Sequence, residues 1–247
     1  MTVVFVHGVP ETASVWDGVR ACLGEKSAAL ALPGFGCPRP HGFDTKDAWA
    51  CWLRDQLAEI PGPVDLVGHD WGALLALRVV TTEPRLVRSW AVDVASLAHP
   101  AYTWHDFALT WQTRGTGEEW MRTVLDTDPG DPAGFFGQIT AFGVSPADAK
   151  QMAASFDEEM AASILTLHRS AVPNLWADWG CGDARIGAPG LVLLPTADPF
   201  DDPVRARTVA DWLGAAVAEL PGLGHFWPLE DPEAAAAVLG PWLRGRA

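Results

Sequence analysis

The run Val64-Asp65-Leu66-Val67-Gly68-His69-Asp70-Trp71-Gly72-Ala73-Leu74-Leu75-Ala76-Leu77 constrains this chain more than any other. An apolar strand enters a turn flanked by glycines, and an apolar helix leaves it. Such a strand, turn and helix holds one side chain, here Asp70, on a sharp corner above a parallel sheet. Glycines flank the corner because a Cβ there would clash. Most corners of this kind present serine. A carboxylate instead attacks carbon by displacement and leaves an ester on the protein, so Asp70 points away from acyl transfer and toward opening an epoxide or breaking a carbon–halogen bond. With no serine at the corner, a serine esterase is disfavoured.

At 247 residues and 49% hydrophobic composition the chain can bury one sizeable core with an insertion. Its net charge of -14 leaves no basic stripe for phosphates, which argues against nucleic acid and anionic membranes as partners. No apolar run approaches the roughly 18 residues of a membrane span, and the opening Met1-Thr2-Val3-Val4 has no basic leader, so a cytoplasmic location is expected. The spacing of Cys22, Cys37, Cys51 and Cys181 suits neither a metal site nor a disulfide framework, and they read as reduced structural thiols.

Short β-branched or apolar runs at 3–6, 27–32, 64–67, 89–94, 190–195 and 215–220 read as strands. Helical patterns lie between them: 12–23, a stripe of Trp49, Trp52, Leu53, Gln56 and Leu57 capped by Asp44 or Thr45, and the helix after the corner. Further helices open at Asp202-Pro203 and Asp231-Pro232. The alternation predicts an α/β fold with a parallel sheet and right-handed crossovers. Residues 98–180 break the pattern with tryptophans and phenylalanines on short helical segments, as a lid over an apolar pocket would. The expected division is a core of 1–97 and 181–247 with this lid inserted between the fourth and fifth strands.

A nucleophile at Asp70 needs an oxyanion hole, a base and an acid to orient the base. His7-Gly8-Val9-Pro10 follows the first strand, so the Val9 and Trp71 backbone N–H groups are the expected oxyanion donors. Val9-Pro10 is also a candidate cis bond. His225, in Gly222-Leu223-Gly224-His225-Phe226 beyond the last strand, is the expected general base among seven histidines. Asp198, three residues beyond the fifth strand, is the expected orienting acid; Asp93, Asp201 and Asp202 are its rivals, Asp202 being better explained as a helix cap.

His7-Gly8-Val9-Pro10-Glu11, Leu32-Pro33-Gly34-Phe35-Gly36, Gly68-His69-Asp70-Trp71-Gly72 and Gly224-His225-Phe226-Trp227-Pro228 together resemble the α/β-hydrolase fold epoxide hydrolases and haloalkane dehalogenases. The resemblance covers the core and is weak in the lid. It implies a covalent Asp70 ester hydrolysed by water that His225 and Asp198 activate, with no cofactor and no metal. The family usually begins with two further strands, so a sheet of about six parallel strands is expected here. Family epoxide hydrolases present two lid tyrosines to the epoxide oxygen, whereas this chain has only Tyr102. His168, in Leu165-Thr166-Leu167-His168-Arg169, resembles the segment where one of those tyrosines precedes arginine, which makes His168 and Tyr102 the expected donors. The dehalogenase alternative would use indole N–H groups of Trp71, Trp104 or Trp111, with Val9 standing where that group has asparagine. Fluoroacetate-type enzymes carry arginine where Trp71 stands. The expected substrate is a small, apolar to moderately polar organic molecule, and the expected assembly a monomer or homodimer. A ligand-binding relative that has lost turnover is the third reading.

Overall fold

The computed structural model describes residues 2–180 and 186–245. Six strands form one sheet: β1 (Val3–Val6), β2 (Ser27–Leu30), β3 (Val64–Gly68), β4 (Val87–Val92), β5 (Gly190–Pro195) and β6 (Ala216–Leu220). Their order is β2-β1-β3-β4-β5-β6, and every neighbouring pair is parallel. Both faces of such a sheet must be covered, because each crossover lays a helix on one face or the other. Alternate residues accordingly enter different cores. Val3 and Phe5 pack with Trp16, Val19, Leu239 and Leu243 on one face, while Val4 and Val6 pack with Trp49, Leu53, Leu74 and Val209 on the other.

The covering helices are α1 (Asp17–Leu23), α2 (Lys46–Ala58) and α3 (Trp71–Thr82). Between β4 and β5 come α4 (Asp106–Gln112), α5 (Thr116–Asp126), α6 (Phe135–Gln138), α7 (Pro146–Ser155), α8 (Glu158–Arg169) and α9 (Trp176–Trp179). The core closes with α10 (Pro203–Leu213), α11 (Trp227–Glu230) and α12 (Pro232–Arg244). Asp202 caps α10 through Val204 and Arg205 N–H, and Asp231 caps α12 through Ala234 N–H, contacts of the kind that contribute about 1 kcal/mol each.

Several boundaries differ from the sequence reading. The helix expected over 12–23 is a 3₁₀ turn, Ala13–Trp16, followed by α1. Thr45 stands at the N-cap of α2, but its side chain makes no capping bond. β4 ends at Val92 because Val94 has φ +39, a left-handed conformation that no strand continues through. Val9-Pro10 is cis, as is Val172-Pro173. Cys37 is half-buried, whereas Cys22 and Cys51 are exposed and pack no core; all three are free. Cys181 and the expected boundary at 180/181 lie at or outside the edge of the described residues. No helix among the described residues is long and apolar enough to cross a membrane.

Topology brings the chemistry together at one edge. β1 is paired on one side with β2 and on the other with β3, the chain winding outward in opposite directions from that point, and Val6 at the end of β1 lies in register with Gly68. The loops after β1 and β3 therefore emerge side by side in the crevice where open α/β sheets place ligands.

Candidate active site

Asp70 occupies the corner between β3 and α3 with φ +50 and ψ -123, a strained conformation for any residue with a Cβ. The close packing of the corner explains its glycines. A Cβ on Gly72 would lie 2.3 Å from the Val6 carbonyl oxygen, and one on Gly68 would lie 2.6 Å from that of Gly72. On Gly8 it would sit 2.3 Å from Asp70 Cβ, so the loop after β1 can touch the corner only as glycine. That contact lets Val9 N–H donate to Asp70 Oδ1 at 2.8 Å. Trp71 N–H, at the first position of α3, lies near enough to help hold the carboxylate's pKa down.

His225 lies in the loop after β6, and Gly224 N–H donates to both carboxylate oxygens of Glu230, which anchors that loop. Its Nδ1–H donates to Asp198 Oδ2 at 2.9 Å, and its Nε2 lies 3.8 Å from Asp70 Oδ2. Asp198 is further fixed by the Phe200 N–H, which donates to Oδ1 at 2.8 Å. The structure thus brings Asp70, His225 and Asp198 into one line. Burial pulls the His225 pKa down, but the Asp198 charge and hydrogen bond outweigh it and hold the ring at about 9. Burial would raise the Asp198 pKa, yet the facing imidazolium lowers it. For Asp70 burial wins: its pKa rises despite the opposing charges of His225 and His69 and the two N–H donors. A carboxylate so poorly solvated is a stronger nucleophile than one in water.

The rival acids are otherwise engaged. Asp93 Oδ2 accepts from His69 Nδ1–H at 2.5 Å and from Trp227 Nε1–H at 2.6 Å, while its Oδ1 accepts the Asp70 backbone N–H at 2.9 Å. His69 Nε2–H reaches Glu11 Oε1 at 3.1 Å, and Glu11 Oε2 accepts Gly8 N–H at 2.9 Å. Burial disfavours a charged ring at His69, but two carboxylates raise its pKa well above the usual value. This Glu11–His69–Asp93 line, invisible in the sequence because its members come from three loops, ties the loop after β1 to the corner. Asp201 faces Ser96 instead: its Oδ1 accepts Ser96 N–H at 3.3 Å.

A space of about 440 Å³ opens above Asp70 and His225, walled by Phe107, Phe135, Phe142 and Phe200. His168 lines it but has no N–H to offer, which corrects the donor role expected of it. Its Nδ1–H donates to the Ile164 carbonyl at 2.8 Å, and its Nε2 accepts from Trp71 Nε1–H at 3.1 Å. Burial lowers the ring's pKa to about 3, so it stays neutral. The Trp71 indole is spent in the same bond. Trp104 stacks on Trp71 and donates its Nε1–H to the Ala171 carbonyl at 3.0 Å, which removes a second indole donor. Trp111 does line the space, and its buried indole N–H has no partner. The buried Tyr102 hydroxyl is also unpartnered; burial and the charges of Asp70, Asp201 and Asp198 raise its pKa and keep it protonated. His105, one of the histidines outranked by His225, and Phe200 also line the space, though neither is expected there from the sequence. Among the described residues no group of side chains is arranged to hold a metal ion.

Comparison with known proteins bears on the whole chain. An epoxide hydrolase from Bacillus megaterium superposes with a TM-score of 0.78 at 16% identity, covering 98% of this chain and 93% of that one. A haloalkane dehalogenase from Bradyrhizobium elkanii superposes at 0.76 with 21% identity, covering 99% and 90%. At these identities the likeness is one of fold. An esterase of Mycobacterium tuberculosis is 35% identical over 118 residues, and the match spans 46% of this chain but only 38% of that protein. The sequence matches the alpha/beta hydrolase family over residues 3–238, and the chain belongs to that family.

Proposed function

We propose that the chain hydrolyses an epoxide to a vicinal diol through an ester on Asp70, with the helical insertion acting as a lid. The observation that carries this reading is the donor inventory above the nucleophile. A halide leaves as a weakly basic anion that indole N–H groups can cradle, but the Trp71 and Trp104 indoles are consumed by His168 and Ala171. An epoxide oxygen leaves as a strongly basic alkoxide and needs a donor that can give up a proton. Tyr102, packed edge-on against Trp104 behind the lining of the space and within range of the Asp70 charge, keeps an unpartnered O–H.

In the first step an Asp70 oxygen attacks the less hindered carbon, the carbon–oxygen bond breaks, and the electron pair goes to the epoxide oxygen. In the second, His225 removes a proton from water, which attacks Asp70 Cγ. A water bonded to His225 Nε2 can approach that carbon, since Nε2 lies 3.8 Å from Asp70 Oδ2. Val9 N–H already donates to the carboxylate, and with the nearby Trp71 N–H it would stabilise the tetrahedral oxyanion. The ester then splits to release the diol, and no cofactor takes part.

The unpartnered Trp111 indole favours a second reading, halide displacement by the same residues. A matched pair of substrates decides between them: styrene oxide and the corresponding phenethyl bromide, assayed for diol and for bromide. Diol formation is expected to exceed bromide release by at least about 10-fold in kcat/KM, a difference of about 1.4 kcal/mol in transition-state stabilisation. Bromide release without diol would replace the epoxide reading with the dehalogenase one, and binding of either molecule without product would leave a ligand-binding protein.

A further inference from the structure

We propose that His105 donates its Nε2–H to the leaving oxygen and is a catalytic residue of the ring-opening step, with the Trp111 indole N–H beside it. This deepens the epoxide reading above and rests on it.

His105 stands at the N-cap of α4, where its side chain accepts the Ala108 N–H at Nδ1, 3.3 Å away. A neutral imidazole has one donor and one acceptor nitrogen, so a ring that accepts at Nδ1 carries its proton on Nε2. No protein atom among the described residues accepts from Nε2, and the half-buried ring lines the same space as Asp70 and His225. The helix start thus determines the tautomer, and the tautomer supplies the pocket with a donor.

The contrast with His168 is local. That ring sits inside α8, where Nδ1–H reaches back to the carbonyl four residues earlier, so its other nitrogen must accept. Two histidines lining one space therefore have opposite hydrogen-bonding sense. The His105 ring is held by Phe200 at 4.8 Å between centroids, and Phe200 is in turn 5.0 Å from the His225 ring. Phe200 thus stands between the base and the N–H donor, and all three line the space that Asp70 opens into. Trp111, six residues further along in α4, lies 6.2 Å from the His105 ring and contributes the second unpartnered N–H.

Burial keeps His105 neutral: together with the charge of His225 it lowers the ring's pKa to about 4, against the opposing pull of Asp198 and Asp106. Around neutrality it is an N–H donor and not an imidazolium. When the carbon–oxygen bond breaks, the electron pair goes to the oxygen, the neutral Nε2–H stabilises the resulting alkoxide by a hydrogen bond, and the alkoxide takes its proton from solvent. The proton that His225 strips from the attacking water returns to solvent, so the His105 ring keeps its proton throughout and a cycle consumes one water and no net proton.

The test uses His105→Ser, which keeps a capping oxygen for Ala108 N–H and removes the pocket N–H, and His105→Asp, which keeps the cap and adds a negative charge. Formation and breakdown of the Asp70 ester are followed separately by rapid quench and intact mass. With styrene oxide, ester formation by the Ser variant is expected to fall on the order of 10²-fold, the loss typical of one such donor, and by the Asp variant further. Ester breakdown should stay within about 3-fold of wild type, and Tm should be little changed, since the cap survives in both variants. Equal slowing of both steps, or no slowing of ester formation in either variant, overturns the assignment. Should wild type form no ester from any epoxide, the epoxide reading and this inference fall together; an ester that forms equally well in wild type and both variants removes only His105.

Discussion

Replacing His225 with glutamine is expected to leave formation of the Asp70 ester nearly intact and to slow its breakdown on the order of 10³-fold, within the range for loss of a general base. The variant should therefore accumulate substrate-adducted protein and turn over at the rate of residual hydrolysis. The reason is geometric: His225 Nε2 points at Asp70 while Nδ1 is held by Asp198, so the ring serves water attack and not the displacement. The pH dependence has a definite sign. Only the neutral ring accepts a proton from water, and in the free protein the ring sits at about 9. Esterification removes the Asp70 charge that helps to raise that value. Ester breakdown should then rise with pH to a plateau whose midpoint lies below about 9, as single-turnover rates across pH 6–10 would show. A pH-independent breakdown rate in wild type contradicts this role for His225.

Asp70→Asn is expected to do more. An amide is a poor nucleophile, so no adduct should form and turnover should fall by at least about 10⁴-fold, as when other nucleophilic enzymes lose their attacking group. The loss should belong to chemistry and not to folding. The corner's backbone bonds, from Ala73 and Leu74 N–H to the Asp70 carbonyl and from Asp70 N–H to Asp93, do not use the Asp70 side chain. Measured stability should accordingly change little, and substrate should still bind.

How much of this was legible in the sequence follows from how local each constraint is. The corner could be read because its glycines are forced by neighbours a few residues away or on the adjoining strand, as at Gly68 and Gly72. Asp198 and His225 could be placed because parallel strands deliver their trailing loops to a single edge. Six parallel strands likewise follow from the alternation of short apolar runs with helices. The aromatic insertion is less legible for a specific reason. His168 and His105 are the same residue type in the same aromatic insertion, and only the backbone distinguishes them. One lies inside a helix and donates backward; the other precedes a helix and accepts from it. A sequence match to a tyrosine position favoured His168, whereas the His105 cap depends on where α4 begins, the kind of boundary that periodicity sets only to within a few residues. The Glu11–His69–Asp93 line was hidden for another reason, since its members meet only when three loops pack. Asp93 lies on the same sheet edge as His225, yet its carboxylate accepts from His69, Trp227 and the Asp70 backbone instead.

The central claim is that the carbon bond is made by Asp70 itself and that water then attacks the Asp70 carboxyl. A single turnover of an epoxide in ¹⁸O-labelled water, with protein in excess, tests this most directly. A covalent ester predicts unlabelled oxygen in the first diol released and one ¹⁸O in the peptide that contains Asp70. Label in the first diol and none in that peptide would mean that water attacked the epoxide directly, and the account would be wrong.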